Sequence, residues 1–313
     1  MPSHGLTRVR SGASRTTGFA RFAVAAALVG AALGAPAAAS AAPADAGHRS
    51  GVAAPLAPSA AAAPRLEAAT VLQVNLCNSG ADKECYAQGK SVKATAELVR
   101  EIEPQILTLN EACSKDVDAL FEVMRRVNSG TMVHWSFSPI HYANGHHIMC
   151  ANGGHYGSAV IDSLDGMSHY NSWAYTFKDQ ARGDERRLAN CSMVNTKDNA
   201  GYFTCAVQMT ERDKATATAQ CKQLVESIMD QVAGKSDMPI LSAGTFNIRA
   251  TGKDSIATCM EDVADDYTTA GQGVQHVVAS TGITLGQVTT HELEGTKVPA
   301  AAFEIDFDGE GRR

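Results

Sequence analysis

Leu241-Ser242-Ala243-Gly244-Thr245-Phe246-Asn247 opens as a short apolar strand and halts at a glycine. Thr245 and Asn247 then fall on one face by the period-two alternation of extended chain. The same pattern recurs on either side. Residues 70–76 read as an apolar strand whose end carries Asn75, and residues 105–111 as a buried strand that ends on the carboxylate of Glu111. Polar groups at the ends of buried strands are where layered, sheet-rich domains gather their sites.

Helices separate these strands. Residues 91–103 place Val92, Ala96, Val99 and Ile102 near helical spacing and stop at Pro104, and residues 115–128 form a second helix. Further strands are expected at 156–161, 239–243, 273–279 and 300–307. Residues 188–194 and 202–209 form a hairpin, and 215–232 a helix with Ala219, Leu224, Ile228 and Val232 on one face. Strands interleaved with helices predict one layered α/β or α+β domain.

That domain occupies residues 70–313. Before it, Arg8, Arg10, Arg15 and Arg21 precede an apolar run from Phe22 to Leu33, and Ala39-Ser40-Ala41 offers a small-x-small cleavage site. Residues 1–41 therefore read as a signal peptide, and the protein as secreted. The run is too short to cross a bilayer, and no cysteine at the cleavage site offers a lipid anchor. Residues 42–69, mostly Ala and Pro, cannot bury enough surface to offset their ordering entropy and are expected to be a disordered linker. Loss of the four arginines and no acidic residue moves the formal charge from −6 to −10. Such a balance disfavours sequence-independent grip on nucleic-acid phosphates unless a local basic patch acts alone.

The eight cysteines, an even number in an exported chain, predict disulfides. Cys191 and Cys205 flank the turn 195–201 symmetrically about Asp198, as opposed residues of a hairpin would. Cys77 with Cys85 would close a short local loop. A metal–thiolate site is the rival reading, weakened by the absence of any Cys-x-x-Cys pair. His134, His141, His146, His147 and His155, with Cys150 among them, crowd one window. Imidazoles can hold zinc or copper, but the spacing matches no firm ligand pattern, and the expectation is a histidine-rich polar loop.

Seven segments, in order, resemble the endonuclease/exonuclease/phosphatase superfamily, that of deoxyribonuclease I, sphingomyelinases and cytolethal distending toxin nucleases. They are Val74-Asn75-Leu76, Leu109-Asn110-Glu111, Tyr156-Gly157-Ser158-Ala159-Val160, Glu185-Arg186-Arg187, Thr204-Cys205-Ala206-Val207-Gln208-Met209, Gly244-Thr245-Phe246-Asn247 and Thr289-Thr290-His291. The resemblance implies a four-layer α/β sandwich, two mixed β-sheets packed face to face with helices outside. It also implies a monomer acting on or binding a phosphate ester, nucleic acid among the candidates.

By that resemblance Glu111 would hold Mg²⁺ or Mn²⁺, with Asn75 completing the shell through a neutral oxygen. Asn247 and His291 would flank the scissile phosphate, while Arg187 and Tyr156 would contact it. The bland readings are strand-end polar groups satisfying loop backbone, a structural histidine, and a solvated Glu185–Arg187 pair. Three positions depart from the family pattern. Gln208 stands where the family has a histidine, Thr245 where it has the aspartate that activates water, and Thr290 where an aspartate orients the neighbouring histidine. Gln275 likewise replaces an aspartate found in many members. A base, a proton donor and an orienting carboxylate are missing together, effects each worth on the order of 10²- to 10⁴-fold in rate. Hydrolysis is therefore expected to be weak or lost, while the metal- and phosphate-binding half of the site can outlast the catalytic half. A non-catalytic binding protein that uses the retained phosphate and metal pocket or its surface is the alternative.

Overall fold

In the computed structural model, which describes residues 68–80, 85–183, 185–234 and 236–307, twelve strands alternate with short helices. The first half holds β1 (Ala69–Asn75), α1 (Lys90–Ile102), β2 (Ile106–Cys113), α2 (Ser114–Val127), β3 (Met132–Pro139) and β4 (Tyr156–Leu164). Next come β5 (Met167–Thr176), β6 (Leu188–Thr196), β7 (Gly201–Gln208), α3 (Lys214–Gln223), α4 (Met229–Ala233) and β8 (Ile240–Thr245). The chain closes with α5 (Ile256–Met260), β9 (Tyr267–Gln272), β10 (Gln275–Ser280), β11 (Ile283–His291) and β12 (Ala300–Phe307). The expected signal peptide and most of the expected linker lie outside the described residues.

The strands form two six-stranded sheets, β11-β12-β1-β2-β4-β3 and β5-β6-β7-β8-β10-β9. Each sheet is mixed and contains one parallel pair, β1 with β2 and β7 with β8. A parallel pair needs a crossover, and α1 supplies it in the first sheet, α3 and α4 in the second. Three apolar clusters follow. Val71, Ile106, Leu241, Val277, Phe303 and Ile305 fill the space between the sheets. Leu72, Val74, Leu107 and Leu109 face the other way onto Leu98, Val99, Val117 and Leu120 of α1 and α2. Val207, Ile240 and Val278 likewise meet Ala217, Leu224 and Ile228. The result is helices, sheet, sheet, helices, the four-layer sandwich.

Each fully buried Leu, Ile or Val in these clusters contributes about 1.5–3 kcal/mol. Gly244 is required by close approach. A Cβ there would lie 2.0 Å from the Val207 carbonyl oxygen, so the parallel β7–β8 pair admits no side chain at that point.

Two expectations need correction. The helix read over 215–232 is interrupted at Leu224–Ile228 by a π-type turn, whose wider pitch turns Leu224, Val225 and Ile228 inward together. Strands β3, β5, β9 and β11 were not expected at all. All four are the rims of the two sheets, and their mixed exposure hides the alternation that marks a half-buried strand. Two rims carry further irregularities. β11 bulges between Leu285 and Val288, and β3 ends at Pro139.

All eight cysteines pair. Cys191–Cys205 joins residues directly opposite on β6 and β7, 4.0 Å apart at Cα, as the hairpin symmetry suggests. Cys77–Cys85 closes its local loop. Cys113–Cys150 and Cys221–Cys259 tie residues 37 and 38 apart, pairings that no local pattern could give.

Candidate active site

Strand ends of both sheets meet at one end of the sandwich. β7, β8 and β10 present Gln208, Thr245 and Gln275 as one lateral row, since Gln208 pairs with Thr245 and Thr245 with Gln275 in the register. All three side chains are buried. Thr245 donates from Oγ1 to Gln275 Oε1 at 3.2 Å, and the Gln275 amide donates to the Pro299 carbonyl at 3.1 Å. The Thr245 backbone N–H reaches across to Asn110 Oδ1 in the first sheet at 3.0 Å. This row lies where the family resemblance calls for titrating groups, and it is a neutral hydrogen-bond chain. No member of it exchanges a proton near neutral pH.

Facing the row, Glu111 sits on a β-bulge between Leu109 and Ala112, with φ at 50°. A bulge re-aims a side chain at a strand end, and this one turns the carboxylate toward the opposite sheet. Gln208 Nε2 donates to Glu111 Oε1. Asn75 hydrogen-bonds the same carboxylate through its side chain, while its Oδ1 accepts the Cys77 N–H at 3.1 Å. Cys85 Sγ abuts Glu111 Oε2. Burial pushes the Glu111 carboxyl above its usual pKa, against the lowering pull of Arg187 and the bonds from Asn75 and Gln208.

This donor set does not fit a hard divalent cation. Magnesium and manganese want a shell of oxygens, yet the Asn75 oxygen expected to face the metal is turned to the Cys77 amide. Both amide side chains give N–H to Glu111, so one carboxylate oxygen already faces a proton donor. The sulfurs of Cys77 and Cys85 cluster with Glu111 within 4.8 Å, but a disulfide offers no thiolate.

Arg187 and Tyr156 close the near side. Arg187 pairs with Glu185 at 3.1 Å, with side chains 10% and 29% exposed. Its Nη1 is buried with no partner among the described residues. Burial, with the Glu111 and Glu185 carboxylates beside it, holds the Tyr156 phenol well above its usual pKa. Next to this group opens a small, shallow cleft of about 30 Å³, lined by Gln180, Arg182, Glu185, Arg187, Thr210 and Arg212.

The remaining candidates lie further from Glu111. Asn247, with φ at 58°, gives its amide to the Met209 carbonyl at 2.7 Å. Lys214 of α3 donates to the Asn247 carbonyl oxygen. His291 ends β11 opposite Ala300, the residue after Pro299, and so stands at the same end as Gln275. Thr290 is exposed opposite Ala301, outside the buried row. Arg182, Arg212 and Lys214 escaped the sequence reading. A lone basic residue in a loop or first helical turn carries no local mark, and only the fold brings these together.

No protein-family model matches the chain, and no curated protein is similar enough in sequence to count as a match. Solved structures are similar in fold. An endonuclease/exonuclease/phosphatase family protein from Bacteroides thetaiotaomicron superposes with a TM-score of 0.59 at 13% identity, over 79% of this chain and 97% of that one. A mannosyl-6-phosphatase of the same organism gives 0.55 at 12%, over 76% and 100%. The human Nocturnin catalytic domain with a bound sulfate anion gives 0.54 at 14%, over 78% and 94%.

Proposed function

We propose that this chain is an endonuclease/exonuclease/phosphatase superfamily member whose phosphodiester chemistry is lost, and that it serves as a secreted binding protein for a phosphorylated ligand. One observation carries the reading. The Gln208 amide is spent on Glu111, so the carboxylate that a metal would need is held by a neutral donor. Thr245 and Gln275 then leave water-activating chemistry no base. Proton transfer and metal grip fail at the same place.

The binding half is supported by the cleft beside Arg187. Three arginines, Arg182, Arg187 and Arg212, line it beside Glu185, with the Glu111 and Glu211 carboxylates also acting on Arg187, within a chain of net charge −6. Arginine suits phosphate because its planar fork can donate two parallel hydrogen bonds. A small group of arginines on an acidic chain fits one phosphate group better than a nucleic-acid backbone, which needs an extended basic track. Among proteins of this fold, one is named a phosphatase and another carries a sulfate. That is analogy of fold, and it agrees with a tetrahedral anion as ligand. Four disulfides support an oxidising, extracellular setting. No helix among the described residues is long and apolar enough to cross a membrane.

The test is an assay of the purified protein with Mg²⁺ or Mn²⁺ on plasmid DNA, bis-p-nitrophenyl phosphate and mannose 6-phosphate, beside a Glu111→Ala variant. Equal, background turnover by both proteins is expected. Turnover that depends on Glu111 would return the chain to the hydrolases.

A further inference from the structure

The histidine-rich loop is more ordered than its composition suggests. After β3 the chain makes two successive turns and enters β4, and three residues spaced eight apart close a ring of backbone bonds. Ile148 N–H donates to the Ile140 carbonyl at 3.2 Å, Tyr156 N–H to Ile148 at 2.9 Å, and Ile140 N–H to Tyr156 at 2.8 Å. Ile140, Ile148 and Tyr156 bury their side chains with Cys113, Cys150 and Leu188. Extended chain alternates, so the residues flanking this triad point outward. Three of those flanking residues are His141, His147 and His155.

Their rings gather on the surface. His141 and His147 are bridged partners with ring centroids 4.2 Å apart, and the centroids of His147 and His155 lie 4.8 Å apart. The backbone under them is fixed. Ser114 donates its N–H to the His155 carbonyl at 2.9 Å, and its Oγ accepts the His155 N–H at 3.1 Å. Arg186 N–H donates to the His141 carbonyl at 2.8 Å. The Cys113–Cys150 disulfide pins the second turn to the start of α2.

We propose that His141, His147 and His155 form a surface site for a borderline divalent metal ion, zinc, nickel or copper(II), separate from the Glu111 cluster. Imidazole nitrogen is the donor these ions prefer, and three protein ligands with a fourth, open position is a stable arrangement for zinc. Metal–nitrogen bonds of about 2.0–2.1 Å require the nitrogens to converge from the present ring stack. His147 and His155 are exposed and His141, whose Nδ1 lies 3.2 Å from the Gly145 carbonyl oxygen, is half-buried, so the exposed rings have room to turn toward it.

The experiment uses the full chain without a histidine tag, titrated at neutral pH with zinc, nickel and copper(II) chlorides by calorimetry. Copper(II) electron paramagnetic resonance counts the coordinating nitrogens. One equivalent should bind, with nitrogen superhyperfine structure. His147→Ala and His155→Ala should each weaken binding about tenfold or more. His169→Ala, on the exposed rim strand β5, should leave it unchanged. His147→Gln, which keeps side-chain bulk, should behave as His147→Ala does, with an unaltered thermal transition. Absence of binding by the parent protein, or equal affinity in the His147 and His155 variants, overturns the proposal.

Discussion

The amide of Gln208, at the end of β7, donates to the carboxylate of Glu111, at the end of β2, and so joins the two sheets across the mouth of the sandwich. A hydrogen bond to a charged group contributes about 1.5–3 kcal/mol, and more is lost when the charged partner is left enclosed alone. Gln208→Ala should therefore lower unfolding free energy by about 1–3 kcal/mol, read from urea denaturation with an unchanged slope. Glu111→Gln should cost less, because it removes the charge that needs a partner. A double variant that loses no less than the sum of the two would show the pair to be uncoupled.

Introducing titrating groups tests the proposed loss of chemistry from the other side. Gln208→His, Thr245→Asp and Thr290→Asp together free Glu111 from its amide donor and return a base and an orienting carboxylate. Manganese-dependent cleavage of bis-p-nitrophenyl phosphate should rise on the order of 10²-fold above background. Continued silence in a folded triple variant would mean that the Asn75 oxygen, held by the Cys77 amide, also has to be released.

The arginine cleft makes a separate prediction. Arg182→Ala and Arg212→Ala, both on loops, should each weaken binding of inorganic phosphate or p-nitrophenyl phosphate about tenfold or more, measured by calorimetry. Arg187→Ala should do so as well. It should also destabilise the fold, since it strands the Glu185 carboxylate. Phosphate affinity untouched by all three changes would remove the cleft from consideration.

Asp162 gives the chain a pH signature. It lies in β4, buried between the sheets, where it accepts a hydrogen bond from Ser192 of β6. Burial raises its pKa from 3.8 to about 7, despite the lowering bond from Ser192. In that interval the native state holds a proton that the unfolded chain releases. Stability should therefore fall as pH rises from about 4 toward 7 and level off above. Asp162→Asn should flatten this slope and gain about 1–3 kcal/mol above neutrality, seen as a thermal midpoint raised more at pH 8 than at pH 4. Parallel pH profiles for the two proteins would refute the assignment.

How far the sequence speaks is plain from its strands. β1, β2, β4, β6, β7, β8, β10 and β12 are legible because each packs against neighbours and a core, which enforces apolar runs. The rims lack that constraint on one side and read as loop. The strand-end positions of Asn75, Glu111, Gln208 and Thr245 were legible. The sense of each bond was not. Nothing in the letters says that Asn75 turns its oxygen to Cys77, or that Arg182 and Arg212 share a cleft with Arg187.

The four rims have one more consequence. An unpaired strand invites a second molecule to add on, sheet to sheet, until a fibre grows. Here β11 carries a bulge and β3 runs into a proline, two devices that spoil an edge as a template. Two of the four sides on which polymerisation would begin are thereby blunted.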